Sequence, residues 1–96
     1  MRAVEFAPDG RGDLVEIYSY IAERDPAAAT RLIARIRQAV ENLREFPFQA
    51  ALAEEYGAGV RKKSIAGYAI FYRVDDDAVL VSRVLHGRRD WGAFDI

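Results

Sequence analysis

The decisive stretch is Val60-Arg61-Lys62-Lys63-Ser64-Ile65-Ala66-Gly67-Tyr68-Ala69-Ile70-Phe71-Tyr72-Arg73-Val74-Asp75-Asp76-Asp77-Ala78-Val79-Leu80-Val81-Ser82-Arg83-Val84-Leu85-His86. Within it Tyr68, Ile70, Tyr72 and Val74 alternate with Ala69, Phe71 and Arg73, a period of two that belongs to strands. Ala66-Gly67 is a tight turn after a strand over 60–65, and Asp75-Asp76-Asp77 is a polar turn before a last strand over 78–86. Three strands joined by hairpins predict a meander.

Upstream the period lengthens. Ala29, Ile33, Ile36, Val40 and Leu43 recur at spacings of 4, 3, 4 and 3, one face of a helix. Asp25 suits its N-cap and Pro26 its first turn, and Pro47 ends it, because proline disfavours helix in the residue before it. Earlier still, Leu14, Ile17, Tyr18 and Ile21 form a second apolar stripe. Its start lies open between Pro8 and a cap at Asp13, since Gly10 and Gly12 each cost about 1 kcal/mol in a helix. The few residues around Arg24-Asp25 predict an antiparallel helical hairpin. Val4 and Phe6 alternate with Ala3 and Glu5 in a short strand, and residues 48–59 read as a connection with one loose turn. The order β-α-α-β-β-β predicts a two-layer α+β domain spanning 1–96, a helical hairpin packed on a mainly antiparallel sheet.

Composition narrows the functional classes. The 96 residues are 51% hydrophobic and 30% charged, which suits one folded core and not a disordered tail. The absence of cysteine excludes a disulfide scaffold, a thiolate zinc site and a cysteine nucleophile. No apolar run approaches the roughly 18 residues of a membrane span, and the charged start lacks a signal peptide's apolar stretch. The expectation is a soluble, cytoplasmic protein. A net charge of −1 argues against a general nucleic-acid coat protein. Its distribution is uneven: residues 1–59 sum to −3 and residues 60–96 to +2. Twelve of the 14 cations are Arg, suited to fixed contacts with carboxylate or phosphate, so chemistry is sought in the C-terminal third.

There His86, the only histidine, reads either as a strand-end residue bonded to backbone or as an acid or target contact. Arg61, Lys62, Lys63, Arg73, Arg83, Arg88 and Arg89 are the cations of this half. Alternation separates Arg61 and Lys63 from Lys62, and surface ion pairs to Asp75, Asp76 and Asp77 would account for a solvated face. Arg83 falls in phase with Val79, Val81 and Leu85, so a buried cation there requires an internal carboxylate or a ligand group. Trp91 and Phe94 either fold back to cap the core or stand out as aromatic anchors. Tyr18, Tyr20, Tyr68 and Tyr72 read as core or rim packing. Gly57-Ala58-Gly59 leads into a strand rather than a helix and is no phosphate cradle. No metal site, cofactor or catalytic residue is expected.

Three segments together carry a family resemblance: Leu14–Ala22 with Asp25-Pro26-Ala27-Ala28-Ala29; Gly59-Val60-Arg61 with Tyr68–Val74; and Arg83-Val84-Leu85-His86-Gly87-Arg88-Arg89-Asp90-Trp91. In this order and spacing, from about Phe6 to Trp91, they resemble the ParE-type toxins of the ParE/RelE superfamily of bacterial toxin–antitoxin modules. That resemblance implies the fold above, with the first strand beside the last. Three departures stand out: Ala7-Pro8 replaces Ser-Pro, Gly10 replaces a helix-forming residue, and Phe48-Gln49-Ala50-Ala51 lacks the loop Gly-Arg.

The resemblance also implies function. ParE-type members block DNA gyrase, whereas RelE-type members are ribosome-dependent messenger-RNA endonucleases. RelE-type nucleases are similar in carrying a middle-strand arginine, at Ala69 here, and a C-terminal tyrosine, where this chain has Trp91 and Phe94. The implied reading is a non-enzymatic gyrase inhibitor causing growth arrest and plasmid stabilisation. A nuclease and a non-toxic antitoxin-binding relative are the alternatives. Its partners would be gyrase and a cognate antitoxin with a DNA-binding N-terminus, in a hetero-oligomeric complex, with no membrane and no sequence-specific nucleic acid. Arg61, Arg83, His86, Arg88, Arg89 and Trp91 are the expected target contacts. Tyr20, Arg31 and Arg35 would rim a groove between the hairpin and the sheet edge that takes the antitoxin's amphipathic segment, burying more than about 1,600 Å².

Overall fold

A computed structural model describes residues 2–94 and 96. Strand β1 (Ala3–Phe6) leads into helix α1 (Pro8–Ala22) and helix α2 (Pro26–Glu45). Strands β2 (Arg61–Ile65), β3 (Tyr68–Val74) and β4 (Ala78–His86) follow, with short 3-10 turns at Glu54–Tyr56 and Trp91–Ala93. The sheet order is β1-β4-β3-β2. The meander is antiparallel and β1 lies parallel to β4, Ala3 opposite Ala78 and Phe6 opposite Val81, so the sheet is mixed and the first strand does lie beside the last.

Local chemistry explains the elements. The Asp25 side chain accepts from the Ala28 N–H at 3.0 Å, and α2 buries Ala29, Ile36, Val40 and Leu43, the last three in one cluster with the sheet. Ala66 and Gly67 both have positive φ, 53° and 85°, as a two-residue hairpin turn that follows the strand twist requires. The Asp75 carboxylate accepts from the N–H groups of Asp77 and Ala78 and so closes the second turn itself.

Helix α1 begins at Pro8, which settles its open start, and Asp13 is an interior residue rather than a cap. Gly10 is the reason the helix can begin there. A Cβ on it would stand 3.0 Å from the carbonyl oxygens of both Val81 and Ser82. The glycine that weakens the helix intrinsically is what lets its first turn seat against the edge of β4.

Strand β3 is buried on both faces. Ile70 and Tyr72 join Val79, Val81 and Val84 under the helices, and the Tyr72 hydroxyl donates to the Pro47 carbonyl at 2.8 Å. Ala69 and Phe71, with Val60 and Leu85, face the other way beneath Tyr56, Trp91, Phe94 and Ile96. The C-terminal segment thus covers the sheet face that the helices leave open. No described helix is long and apolar enough to cross a membrane.

Candidate functional site

The site begins with an irregularity in β4. Phe71 pairs with Arg83 while the next residue, Tyr72, pairs with Val81, which leaves Ser82 as the extra residue of a β-bulge. The Ser82 hydroxyl donates to the Phe71 carbonyl at 3.3 Å. The bulge resets the alternation. Val79, Val81 and Val84 meet the helices, whereas Arg83 sits across from Phe71 and Leu85 packs with it on the opposite face. The expectation that Arg83 shares a face with Val79 and Val81 is therefore corrected, because strict parity fails across the bulge.

Arg83 does have an internal carboxylate. Its Nε and Nη2 donate to Asp13 Oδ2 and Oδ1, both at 2.8 Å, and Asp13 Oδ2 also accepts from the Val84 N–H at 2.9 Å. Strand β1 has ended by this point, so Asp13 from α1 takes up an edge N–H that no strand covers. The pair is largely buried, and bonding to Asp13 pushes the Arg83 guanidinium above its usual value. The guanidinium carbon lies 4.8 Å from the centre of the Phe94 ring.

Around that ion pair the C-terminal segment assembles an aromatic and cationic face. Trp91 packs edge-on against Tyr56 and Phe71, and its Nε1 donates to the His86 carbonyl at 3.0 Å. Of the two readings of Trp91 and Phe94, folding back over the core holds. Lys62 Nζ sits 4.7 Å from the Trp91 ring centre, and the Arg89 guanidinium 5.3 Å from that of Phe94. Arg73 donates from Nη1 to the Ile96 carbonyl and from Nε to the Ala58 carbonyl. Lys62 and Arg73 were not among the expected contacts. Their signal was present: Lys62 is out of phase with Arg61, and Arg73 is in phase with Ala69 and Phe71.

A groove of about 510 Å³ runs beside this face, between α1 and the ends of β3 and β4. Ile17, Tyr20 and Tyr68 form its apolar part, and His86, Arg88 and Arg89 its polar rim. Tyr20 is 77% exposed. Burial, then the neighbouring Tyr20, pushes the Tyr68 phenol up, and Tyr68 meets the His86 ring edge-on at 5.1 Å. His86 Nδ1 accepts from the Arg88 N–H at 3.1 Å, which is the backbone-bonded reading. Arg88 and Arg89 are exposed, and Arg89 reaches Glu16 at only 3.5 Å.

Other expected contacts lie elsewhere. Arg61 stands opposite Tyr72, whereas His86 stands opposite Tyr68, so they occupy opposite ends of β3. Its Nη1 donates to the Ala50 carbonyl at 2.7 Å. Arg31 and Arg35 are exposed on α2 and do not line the groove that holds Tyr20. The expected ion pairs to the turn aspartates do not form among the described residues. No cluster of His, Cys, Asp or Glu there could hold a metal ion.

A helical hairpin packed on a four-strand mixed sheet is the fold of the ParE/RelE toxins. The chromosomal ParDE system of P. aeruginosa superposes with a TM-score of 0.77 at 20% identity, covering 90% of this chain and 96% of that one. The RelBE2 toxin–antitoxin complex of Mycobacterium tuberculosis superposes with a TM-score of 0.64 at 24% identity, covering 88% and 96%. In sequence the chain is 31% identical to Toxin RelE3 of Caulobacter vibrioides over 90 residues, 90% of this chain and 95% of that protein. It is 35% identical to Toxin RelE2 of the same organism over 78 residues, 80% and 85%. The family model for the ParE toxin of the type II toxin–antitoxin system parDE matches residues 4–91, and the chain belongs to that family.

Proposed function

We propose that this toxin arrests growth by binding DNA gyrase rather than by catalysis, acting in the cytoplasm until a cognate antitoxin neutralises it. The observation that carries the reading is how the tail face is occupied. Cutting RNA through its 2′-hydroxyl needs a base, an acid and cations free to meet the phosphate. Here the middle-strand position of interest is the buried Ala69, and the tail presents Trp91 and Phe94, neither of which accepts a proton. Arg83 is bound to Asp13, Lys62 lies over Trp91, and Arg73 is spent on backbone carbonyls. Arg88, Arg89 and His86 at the groove rim remain exposed. Arginine is enriched in protein-binding hot spots, and the nuclease reading would have to draw its acid, base and free cations from these same three residues.

The antitoxin reading draws on the P. aeruginosa and M. tuberculosis neighbours, which are toxin–antitoxin systems. Its amphipathic segment would enter the groove past Tyr20 and so cover His86, Arg88 and Arg89 directly, with Arg31 and Arg35 as outlying contacts on α2. The similarity to Toxin RelE3 and Toxin RelE2 favours a second reading, ribosome-dependent RNA cleavage. Inducing the chain in cells separates the two. The gyrase reading predicts altered plasmid supercoiling and DNA breakage with intact messenger RNA; cut messenger RNA with normal supercoiling supports the nuclease instead.

A further inference from the structure

The connection between α2 and β2 shows its largest apolar side chains to solvent. Phe46, Phe48 and Leu52 are 63%, 58% and 53% exposed, while the small residues Ala50 and Ala53 and the ring of Pro47 point inward. This is no slack loop. The Tyr72 hydroxyl holds the Pro47 carbonyl, Arg61 holds that of Ala50, and Lys63 Nζ donates to Gln49 Oε1 at 3.2 Å. Leu52 bridges to Arg61 as a fragment of an extra strand, with Ala53 N–H to the Val60 carbonyl and Lys62 N–H to that of Ala51. Tied at so many points, the segment cannot tuck its apolar residues away.

Two guanidiniums frame the patch. Those of Arg61 and Arg2 lie 5.0 and 5.5 Å from the centre of the Phe48 ring. Each has spent one donor on a backbone carbonyl, Arg61 on Ala50 and Arg2 on Asp75. Among the described residues neither they nor Lys63 has a carboxylate within ion-pair distance. Asp75 uses its carboxylate within its own turn. Apolar surface beside cations with unspent donors is the composition of a binding hot spot.

From this we infer that Phe48, Leu52, Arg61 and Arg2 form a second docking surface, separate from the Tyr20 groove, for an acidic protein segment with an apolar anchor. The anchor packs on Phe48 and Leu52, and an adjacent carboxylate meets the free guanidinium edges. The turn of Asp75, Asp76 and Asp77 lies beside Arg2, so the carboxylate is met from the Arg61 side. A nucleic acid, with a charge on every nucleotide, would bring more negative charge against that turn than one or two carboxylates do.

The test is to pan a displayed library of random twelve-residue peptides on the purified chain and measure the enriched peptides by calorimetry. The expected sequences pair an aromatic or aliphatic residue with Asp or Glu. Their Kd rises at least tenfold on the Phe48→Ser/Leu52→Ser variant and stays unchanged on Val15→Ser, which removes an exposed apolar side chain of α1. Circular dichroism melts establish that the variants are folded, and Leu52→Ser alone decides the matter if the double variant is not. The inference is overturned if no such peptides are enriched or if they bind the folded variants as tightly. It is equally overturned if a single-stranded oligonucleotide, rather than the peptides, shows the Phe48-dependent binding.

Discussion

Asp13 serves three donors from β4 and its bulge, so its removal strands both a buried guanidinium and an edge N–H. Asp13→Ala and Arg83→Ala should each destabilise the fold by about 3–5 kcal/mol in urea denaturation. The double substitution should cost less than the sum, since neither charge is then left alone. Gly10 and Gly12 make a sharper pair. Gly10→Ala drives a methyl against two carbonyl oxygens and should cost about 1–3 kcal/mol, whereas Gly12→Ala meets open space and should stabilise by up to about 1 kcal/mol. Thermal melts of the two variants moving in opposite directions would establish the close approach of α1. From sequence both glycines looked alike, because what distinguishes them is a backbone 71 residues further along, at Val81.

At the scale of elements, the helical hairpin, the meander and the turn at Ala66-Gly67 were legible, since each follows from periodicity or from residues that tolerate a given backbone. The bulge at Ser82 was not. It depends on how β4 is paired, and one extra residue was enough to misplace Arg83. Double burial of β3 was also hidden, because its second cover comes from the tail and from Tyr56. Burial pushes the Tyr72 phenol up, against smaller lowering effects from the Ala50 backbone and Arg61. The folded state therefore holds this proton more tightly than the unfolded chain. Its stabilising effect is complete below about pH 10 and is lost as pH rises through the folded value. Denaturation midpoints should fall with pH in that alkaline range, and Tyr72→Phe should flatten the fall. At neutral pH the same variant should lose about 1 kcal/mol with the bond to Pro47.

Over the whole molecule, cations committed to internal partners separate from exposed ones. Arg83 and Arg73 are committed inward, whereas Arg88 and Arg89 stand at the mouth of the groove. Replacing Arg88 and Arg89 with Ala should shift stability by less than about 0.5 kcal/mol and abolish growth arrest. Retained toxicity would move the active surface onto the helical hairpin. His86, Arg88 and Arg89 line one groove, as their closeness in sequence implies. That Tyr20 shares it was not legible, because it depends on how α1 packs on the sheet, whereas the two-residue turn at Ala66-Gly67 already sets Arg61 opposite Tyr72, at the other end of β3. The most direct measurement is the supercoiling of relaxed plasmid by purified gyrase with increasing amounts of the purified toxin, resolved as topoisomers. Gyrase inhibition through the groove-rim arginines predicts dose-dependent loss of supercoiling by the native chain and none by the Arg88→Ala/Arg89→Ala variant. Undiminished supercoiling at a large excess of native toxin would contradict it.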